Sequence, residues 1–253
     1  MALRDDPALA HLDNPLWASL TTLHERLALR PSEGVARGSV GVARYPADVA
    51  PFLAIEQDGA CVDAALAELV PPGDSVLCVG PRPAVPAGWR LEDFGSILQM
   101  VCEQALPGAA PGEVGEGEVA VHELLEGHVV EIDEAHRREA VELAALVYPH
   151  YFRPRTPEMG RYFGIYRDGV LAAMAGERMG WPGAREISAV CTRPAFVGRG
   201  LARRLMAHLV ADLARSGAMA FLHVSPGNVR ARRLYERTGW RVRREIAFCA
   251  LHR

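Results

Sequence analysis

The sequence predicts an α/β protein of the α+β type, in which a mixed sheet with helices on both faces follows a smaller α/β unit. Apolar, β-branched segments alternate with amphipathic helical segments, and this alternation predicts the sheet and its helices. A run rich in Pro, Gly and Ala interrupts the alternation near the middle. We therefore predict an N-terminal α/β domain over residues 1–105, a linker over 106–117 and a second domain over 118–253.

Composition narrows the class of protein. The chain has 28 Lys and Arg against 31 Asp and Glu, a net charge of −3, and 49% hydrophobic residues, which is typical of a soluble globular protein. This balance favours neither nucleic acid nor a membrane as a partner. The first residues have no apolar signal-like region and no run could span a bilayer, so we expect a cytoplasmic location. The 5 cysteines are scattered without metal-ligand spacing, which predicts reduced thiols and no metal site.

The N-terminal half alternates short elements. Residues 14–29 place leucines on one face of a helix, with Asn14 as its N-cap and Pro15 at its first position. Strands are predicted over 40–45, 52–56, 75–79 and 97–102, and a helix over 62–69. No catalytic constellation is recognisable in this half. We expect it to act as a scaffold or to shape a substrate site.

The C-terminal half predicts a longer series of elements. Asp168-Gly169 marks a tight hairpin between two of its strands. The predicted strands cover 119–124, 162–166, 170–176, 186–192, 218–224 and 240–251, and the predicted helices cover 133–147, 201–213 and 228–238.

A glycine-bearing loop connects the central strand, 186–192, to the helix that begins at Leu201. The helix carries leucines every four residues, and Gly217 supplies its C-terminal stop. The first turn of a helix leaves amides without partners and bears partial positive charge, so it attracts anions. Because Gly198 and Gly200 have no β-carbon, a pyrophosphate could approach the amides up to Arg203 closely.

Two common phosphate loops are excluded here. A dinucleotide loop needs a third glycine where this chain has Arg203, and a P-loop needs Gly-Lys-Ser/Thr, which does not occur. The loop instead resembles the coenzyme loop of the GNAT superfamily of N-acetyltransferases, Gln/Arg-x-x-Gly-x-Gly/Ala. The matching run is Val197-Gly198-Arg199-Gly200-Leu201-Ala202. Val197 departs from the pattern, which removes a side chain but no amide.

A second segment strengthens the resemblance. The residues from Asn228 to Trp240 are similar to the family's signature Asn-x-x-Ala-x-x-Leu-Tyr-Glu-x-x-Gly-Phe. The resemblance implies a mostly antiparallel sheet and acetyl-CoA as cosubstrate. It also implies acetyl transfer to a primary amine of a small molecule or peptide. The coenzyme-binding residues that it implies are Val190, Cys191, Thr192, Gly198, Arg199, Gly200, Leu201, Ala202, Arg203 and Asn228.

The resemblance also assigns candidates for proton transfer. Tyr235 matches the family's proton donor to the coenzyme A thiolate, and lies two helical turns after Asn228 on the same face. Glu186 and His223 occupy places where different family members carry a general base. A third alternative is that no dedicated base exists, because an amine can arrive deprotonated.

The sequence does not identify the acceptor substrate. The aromatic, arginine-bearing segment 148–161 lies where the family usually contacts its substrate, so Tyr151, Arg153 and Arg155 are candidates. The alternative function is a catalytically inactive sensor that binds CoA or acyl-CoA, which Val197 favours. A donor longer than acetyl, a homodimer, and an N-terminal half that is a degenerate copy of the domain are also open.

Overall fold

The computed structural model describes residues 7–36, 40–102, 127–147 and 152–253. Within these ranges the α-helices are α1 (Pro15–Leu20), α2 (Glu33–Ala36), α3 (Asp63–Leu69), α4 (Arg137–Val147), α5 (Leu201–Arg215) and α6 (Val229–Glu236). The strands of the same ranges are β1 (Val42–Arg44), β2 (Leu53–Ile55), β3 (Ser75–Val79), β4 (Arg90–Cys102), β5 (Val129–Glu131), β6 (Tyr162–Arg167), β7 (Val170–Trp181), β8 (Ala184–Thr192), β9 (Met219–Val224) and β10 (Arg241–His252).

Among the described residues, an 8-stranded sheet in the order β3-β10-β4-β9-β8-β7-β6-β5 organises the fold. Each neighbouring pair is antiparallel except β8 and β9, which run parallel. The strands β1 and β2 form a separate 2-stranded sheet. Helices flank the large sheet, so the predicted class, a mixed and mostly antiparallel sheet with flanking helices, is confirmed.

Strands from both halves of the chain share this sheet. The strand β4 lies between β10 and β9, with Leu98 opposite Val224, and β3 pairs with β10 through Cys78 and Cys249. The predicted linker, 106–117, and the predicted strand at 119–124 lie outside the described residues. The division into domains over 1–105 and 118–253 therefore stays a prediction.

The first helix is shorter than predicted. The Asn14 side chain caps it by accepting a hydrogen bond from the Trp17 amide at 3.3 Å, and Pro15 takes the first position, as expected. The helix nevertheless ends at Leu20 and does not reach residue 29. Just beyond it, the Thr22 hydroxyl donates to the Ala18 carbonyl at 2.6 Å, a backbone contact that competes with helical hydrogen bonding.

Two strands are longer than predicted because their sheet partners extend them. The strand β4 begins at Arg90 rather than at residue 97, where Arg90 pairs with His252. The strand β7 continues past residue 176 to Trp181. The tight turn before β7 is confirmed, since Asp168 and Gly169 both have positive φ, 52° and 71°.

Apolar side chains from both halves fill the interior. The predicted stripe of α5 is buried under the sheet, and Gly217 follows the helix with φ 72°. A second cluster joins Leu16 of the N-terminal half to Trp181 and Phe221 of the C-terminal half. Four of the five cysteines are buried, as predicted.

Candidate active site

A gap between β8 and β9 is the central feature of the site. Their parallel pairing ends at Glu186 and Phe221, although β8 continues to Thr192 and β9 to Val224. Beyond that pair the two strands are no longer paired, and no described strand pairs there with the β8 edge that faces β9. A wedge therefore opens in the middle of the sheet.

A bulge in β8 accompanies the wedge. Met174 pairs with Cys191 and Gly176 with Ser188, so β8 has one more residue than β7 across this interval. Ala189 lies inside the bulge with φ 51°, a left-handed conformation that is uncommon for a residue other than glycine. The bulge changes the direction of the β8 backbone beside the wedge.

The start of α5 faces the outer end of the wedge. Gly198 and Gly200 have φ values of 85° and 77°, which explains the two glycines. Gly200 is the N-cap, and no side chain in the described part of the chain caps the helix. The amide of Arg204 is the first to bond back, to the Gly200 carbonyl at 3.1 Å. The amides at Leu201–Arg203 thus have no intrahelical partner.

A cavity of about 970 Å³, which we call the outer groove, lies in front of these amides. It is lined by the loop before α5, by the start of α5 and by α6. Its lining residues include four arginines, Arg203, Arg230, Arg233 and Arg237. Arg199 is exposed and outside this lining, and its guanidinium stands 5.0 Å from the centre of the Phe196 ring. The outer groove suits a highly phosphorylated ligand.

A second cavity of about 370 Å³, the inner cavity, adjoins the outer groove. The two share Val147, Val190, Asn228 and Tyr235 as wall residues. Phe52, Val79 and Ile97 bring the N-terminal half into the inner wall.

Tyr235 lies at the junction of the two cavities and is 7% exposed. Burial, with a smaller contribution from Cys191, raises the pKa of its hydroxyl to about 12. Among the described residues, nothing hydrogen-bonds to this hydroxyl. Asn228 caps α6 by accepting from the Ala231 amide at 3.1 Å. Burial likewise raises the pKa of the Cys191 thiol to about 12, so this thiol stays protonated at neutral pH.

Glu186 is fully buried and engaged on both oxygens. Arg178 donates to them from Nε and Nη2 at 2.8 and 2.6 Å, and His223 Nδ1 lies 2.8 Å from Oε1. Burial alone would raise the pKa of Glu186, but the charge and hydrogen bonds of Arg178, with His223, lower it to about 2. The carboxylate therefore fixes its two neighbours and has little capacity to accept another proton.

His223 is held in one tautomer. Arg243 donates to Gln99 Oε1 at 3.0 Å, so the Gln99 amide nitrogen faces His223 Nε2 at 3.2 Å. The amide nitrogen donates, which makes Nε2 the acceptor and leaves the hydrogen on Nδ1, directed at Glu186. The basic nitrogen of the ring is thus already occupied by Gln99.

One buried hydroxyl in the inner cavity has no partner. Tyr162 is 2% exposed, lines the inner cavity, and its hydroxyl makes no hydrogen bond to a described residue. An unsatisfied buried donor of this kind costs about 1–3 kcal/mol. Its ring packs edge-on against Phe152, with centroids 5.4 Å apart, and Arg178 lines the same cavity.

Of the three acceptor candidates predicted in segment 148–161, the two that the structure describes are not found in the lining of either cavity. Tyr151 lies outside the described residues. Arg153 is exposed, and Arg155 forms ion pairs with Asp48 and Glu158 at 3.2 and 2.7 Å. Neither arginine lines the inner cavity or the outer groove.

Sequence analysis did not identify Tyr162 or Arg178. A signal existed for Arg178, because Glu177-Arg178 interrupts the apolar strand β7 and charges at such a position are buried only as pairs. Arg178 pairs with Glu186, and Glu177 pairs with Arg161 at 2.6 Å. Tyr162 gave no such signal, since a tyrosine in a strand is commonly a core residue.

Comparison with solved structures assigns the family. A crystal structure of a GNAT-family protein from Novosphingobium aromaticivorans is 33% identical to this chain, covers 96% of it and 98% of its own length, and superposes with a TM-score of 0.76. The chain belongs to the GNAT family. The family model described as FR47-like protein matches residues 162–249 of this GNAT chain.

More distant structures share the fold. A GCN5-related N-acetyltransferase from Kribbella flavida is 18% identical, with 99% of this chain and 96% of its own covered and a TM-score of 0.57. A GCN5-related N-acetyltransferase-like protein from Streptococcus suis is 16% identical, with 97% and 96% covered and a TM-score of 0.56. A search of curated proteins found no match.

In the ranges given above, no helix has the length and apolar character needed to cross a bilayer. The same ranges contain no group of three or more His, Cys, Asp or Glu side chains placed to hold a metal ion.

Proposed function

We propose that this GNAT protein transfers the acetyl group of acetyl-CoA to a primary amine of a small molecule. The observation that carries the proposal is the meeting of the outer groove and the inner cavity at Tyr235, beside the free edge of β8. The family membership supports acetyl transfer in general. The outer groove would hold the donor and the inner cavity the acceptor.

The residues of the outer groove fit coenzyme A. The free amides of Leu201–Arg203 and the guanidinium groups of Arg203 and Arg233 would bind its phosphates. The β8 backbone at Val190, Cys191 and Thr192 would pair with the pantetheine arm along the free edge. Gly198 and Gly200 leave this approach open, and Ala202 and Asn228 line it. Acetyl-CoA supplies the activated acetyl group when bound.

Tyr235 is the proposed proton donor to the departing thiolate. Its raised pKa keeps the hydroxyl protonated at neutral pH, as a general acid requires. The amine has to lose a proton as it gains the acetyl group. Both predicted bases are engaged, Glu186 by Arg178 and His223 by Gln99. We therefore favour an acceptor that arrives with a neutral amine and releases its proton to water.

Titration calorimetry with acetyl-CoA tests donor binding. We expect the double variant Arg203→Ala/Arg233→Ala to bind at least about tenfold more weakly, since it loses charge-assisted contacts. The matched control is Arg138→Ala, an arginine whose side chain is 88% exposed on α4. A separate Arg199→Ala variant tests the predicted contact of Arg199. Absence of heat with acetyl-CoA would refute the proposal.

Transfer is measured as thiol release from acetyl-CoA with added amines. The sequence has no lysine, so acetylation of lysine side chains of the protein itself cannot add to the signal. The second candidate is a CoA-binding sensor without transfer, and the locked state of Glu186 and His223 favours it. Binding of acetyl-CoA without thiol release for any amine would select the sensor.

A further inference from the structure

Apolar side chains form much of the inner cavity. Phe52, Phe152 and Phe248 line it from three separate parts of the chain, and Val79 and Ile97 extend the same surface. An apolar group placed among them leaves water, which favours binding. The volume of about 370 Å³ is near the lower end of the roughly 300–1,000 Å³ typical of small-molecule sites. The ligand is therefore compact.

Two hydrogen-bond donors stand beside this apolar surface. The Tyr162 hydroxyl is buried and has no partner among the described residues. Arg178 uses Nε and Nη2 on Glu186, and its Nη1 donates to no described residue. The Arg178 guanidinium also lies 5.1 Å from the centre of the Phe52 ring. An arginine can only donate, so the complementary ligand group is an oxygen attached to an apolar body.

The inner cavity is poor in negative charge. No Asp or Glu is among its lining residues in the described part of the chain. The buried carboxylate next to it, Glu186, is already paired with Arg178 and His223. A protonated amine would find no counter-charge, so a neutral amine is favoured. An amine beside a carbonyl, as in a peptide α-amino group, has a pKa of about 7.7–8.0 against about 10.4 for an alkyl amine.

We infer that the acceptor is a compact α-amino carbonyl compound with an aromatic or branched aliphatic side chain, whose carbonyl oxygen accepts from Tyr162 and Arg178. The inference rests on the proposed function and names its acceptor class. The carbonyl oxygen can belong to an amide, which keeps the amine pKa low, or to a free carboxylate, whose negative charge would pair with Arg178, and the test includes one probe of each kind.

Binding of four probes with CoA present tests the inference independently of turnover. Phenylalaninamide and phenylalanine have the ring, the amine and the oxygen, whereas 2-phenylethylamine lacks the oxygen and alaninamide lacks the ring. Dissociation constants are measured at pH 8 by calorimetry. We expect one of the first two to bind at least about tenfold tighter than both others, which is about 1.4 kcal/mol. Equal constants, or no binding by either of the first two, would overturn the inference.

The variant Tyr162→Phe removes the hydroxyl alone. We expect it to reduce the advantage of the oxygen-bearing probe by at least about threefold, since only the Arg178 contact remains, and to leave 2-phenylethylamine unchanged. Tyr166→Phe is the matched control, a buried tyrosine of the same strand outside the inner cavity's lining. If Tyr162→Phe folds, by circular dichroism, and keeps the full advantage, the assignment of Tyr162 is wrong.

The two proposals fail in different ways. Selective binding of phenylalaninamide or phenylalanine without thiol release contradicts the proposed transfer and supports the inferred selectivity. Thiol release with all four probes at equal kcat/KM contradicts the selectivity and supports the transfer.

Discussion

At the residue scale, replacing Tyr235 should affect catalysis and leave coenzyme binding nearly unchanged. Its hydroxyl is buried at the junction of the two cavities, with a pKa raised to about 12. We expect Tyr235→Phe to lower kcat by about 100-fold or more, since it removes a general acid. The affinity for acetyl-CoA should stay within about threefold, because the amides at the start of α5 are unchanged. Thiol release and calorimetry check the two parts, and an unchanged kcat would exclude Tyr235 as the proton donor.

The buried pair of Glu186 and Arg178 gives a prediction about stability. Glu186→Gln leaves the Arg178 charge without its partner, and we expect a loss of about 3–5 kcal/mol in the free energy of unfolding by urea. Glu236→Gln is the control, since its pair with Arg232 is partly exposed at 3.5 Å and should matter by less than about 0.5 kcal/mol. A small loss for both would show that the Glu186 pair contributes little.

The same pair predicts a pH dependence. The folded-state pKa of Glu186 is about 2, below its ordinary value of 4.5. Its contribution to stability is therefore fully present above pH 4.5 and is lost as the pH falls toward 2. The difference in unfolding free energy between wild type and Glu186→Gln should shrink over this interval. A difference that is constant with pH would mean that Glu186 has the same pKa in the folded and unfolded chains.

Sequence patterns identified residues whose role depends on adjacent residues in the chain. They were less successful with residues whose role depends on tertiary neighbours. Asn14 and Asn228 are N-caps, and Gly198 and Gly200 take the positive φ expected of a helix-opening loop. Capping and turn geometry depend on a few adjacent residues, which one sequence displays. The Tyr162 hydroxyl is different, because it belongs to the inner cavity only through elements distant in the chain.

At the scale of elements, the bulge in β8 restricts which residues can occupy position 189. Ala189 has a φ of 51°, which is unfavourable for any residue with a β-carbon and most of all for a β-branched residue. We expect Ala189→Val to lower the free energy of unfolding by about 1–3 kcal/mol, and Ala189→Gly to change it by less than about 1 kcal/mol. Urea unfolding measures both, and equal effects of the two variants would contradict the left-handed conformation.

Strand and helix positions followed from hydrophobic periodicity, whereas their irregularities did not. The central strand was predicted over 186–192 and covers Ala184–Thr192, but its bulge arises from pairing with β7. The early end of α1 at Leu20 was also missed, because leucines at helical spacing continue past the threonines at which the helix ends. Periodicity reports which face is buried and not where pairing or capping interrupts an element.

At the scale of the whole molecule, β4 ties the two halves together. It pairs with β10 from Arg90 to Val101 and with β9 from Leu98 to Cys102. A fragment of residues 118–253 lacks β4 and exposes apolar residues such as Phe221, which belong to one buried cluster with Leu16 and other residues of the N-terminal half. We expect this fragment to lack a cooperative urea transition, and addition of fragment 1–105 to restore it. Cooperative unfolding of the fragment alone would instead support the predicted domain division.

Phe52, Val79 and Ile97 contribute to the inner cavity and not to the outer groove. Acceptor recognition and coenzyme binding therefore depend on different parts of the chain. The wall that would meet the acceptor includes residues before position 102, whereas the groove for the donor is built from residues after position 146. Exchanging Phe52, Val79 and Ile97 for the residues of a relative with another amine preference should therefore change the preference for the acceptor's side chain, while the oxygen contacts of Tyr162 and Arg178 and the coenzyme affinity are retained. Substitutions at these three positions can therefore alter the acceptor wall while the coenzyme groove keeps its own residues.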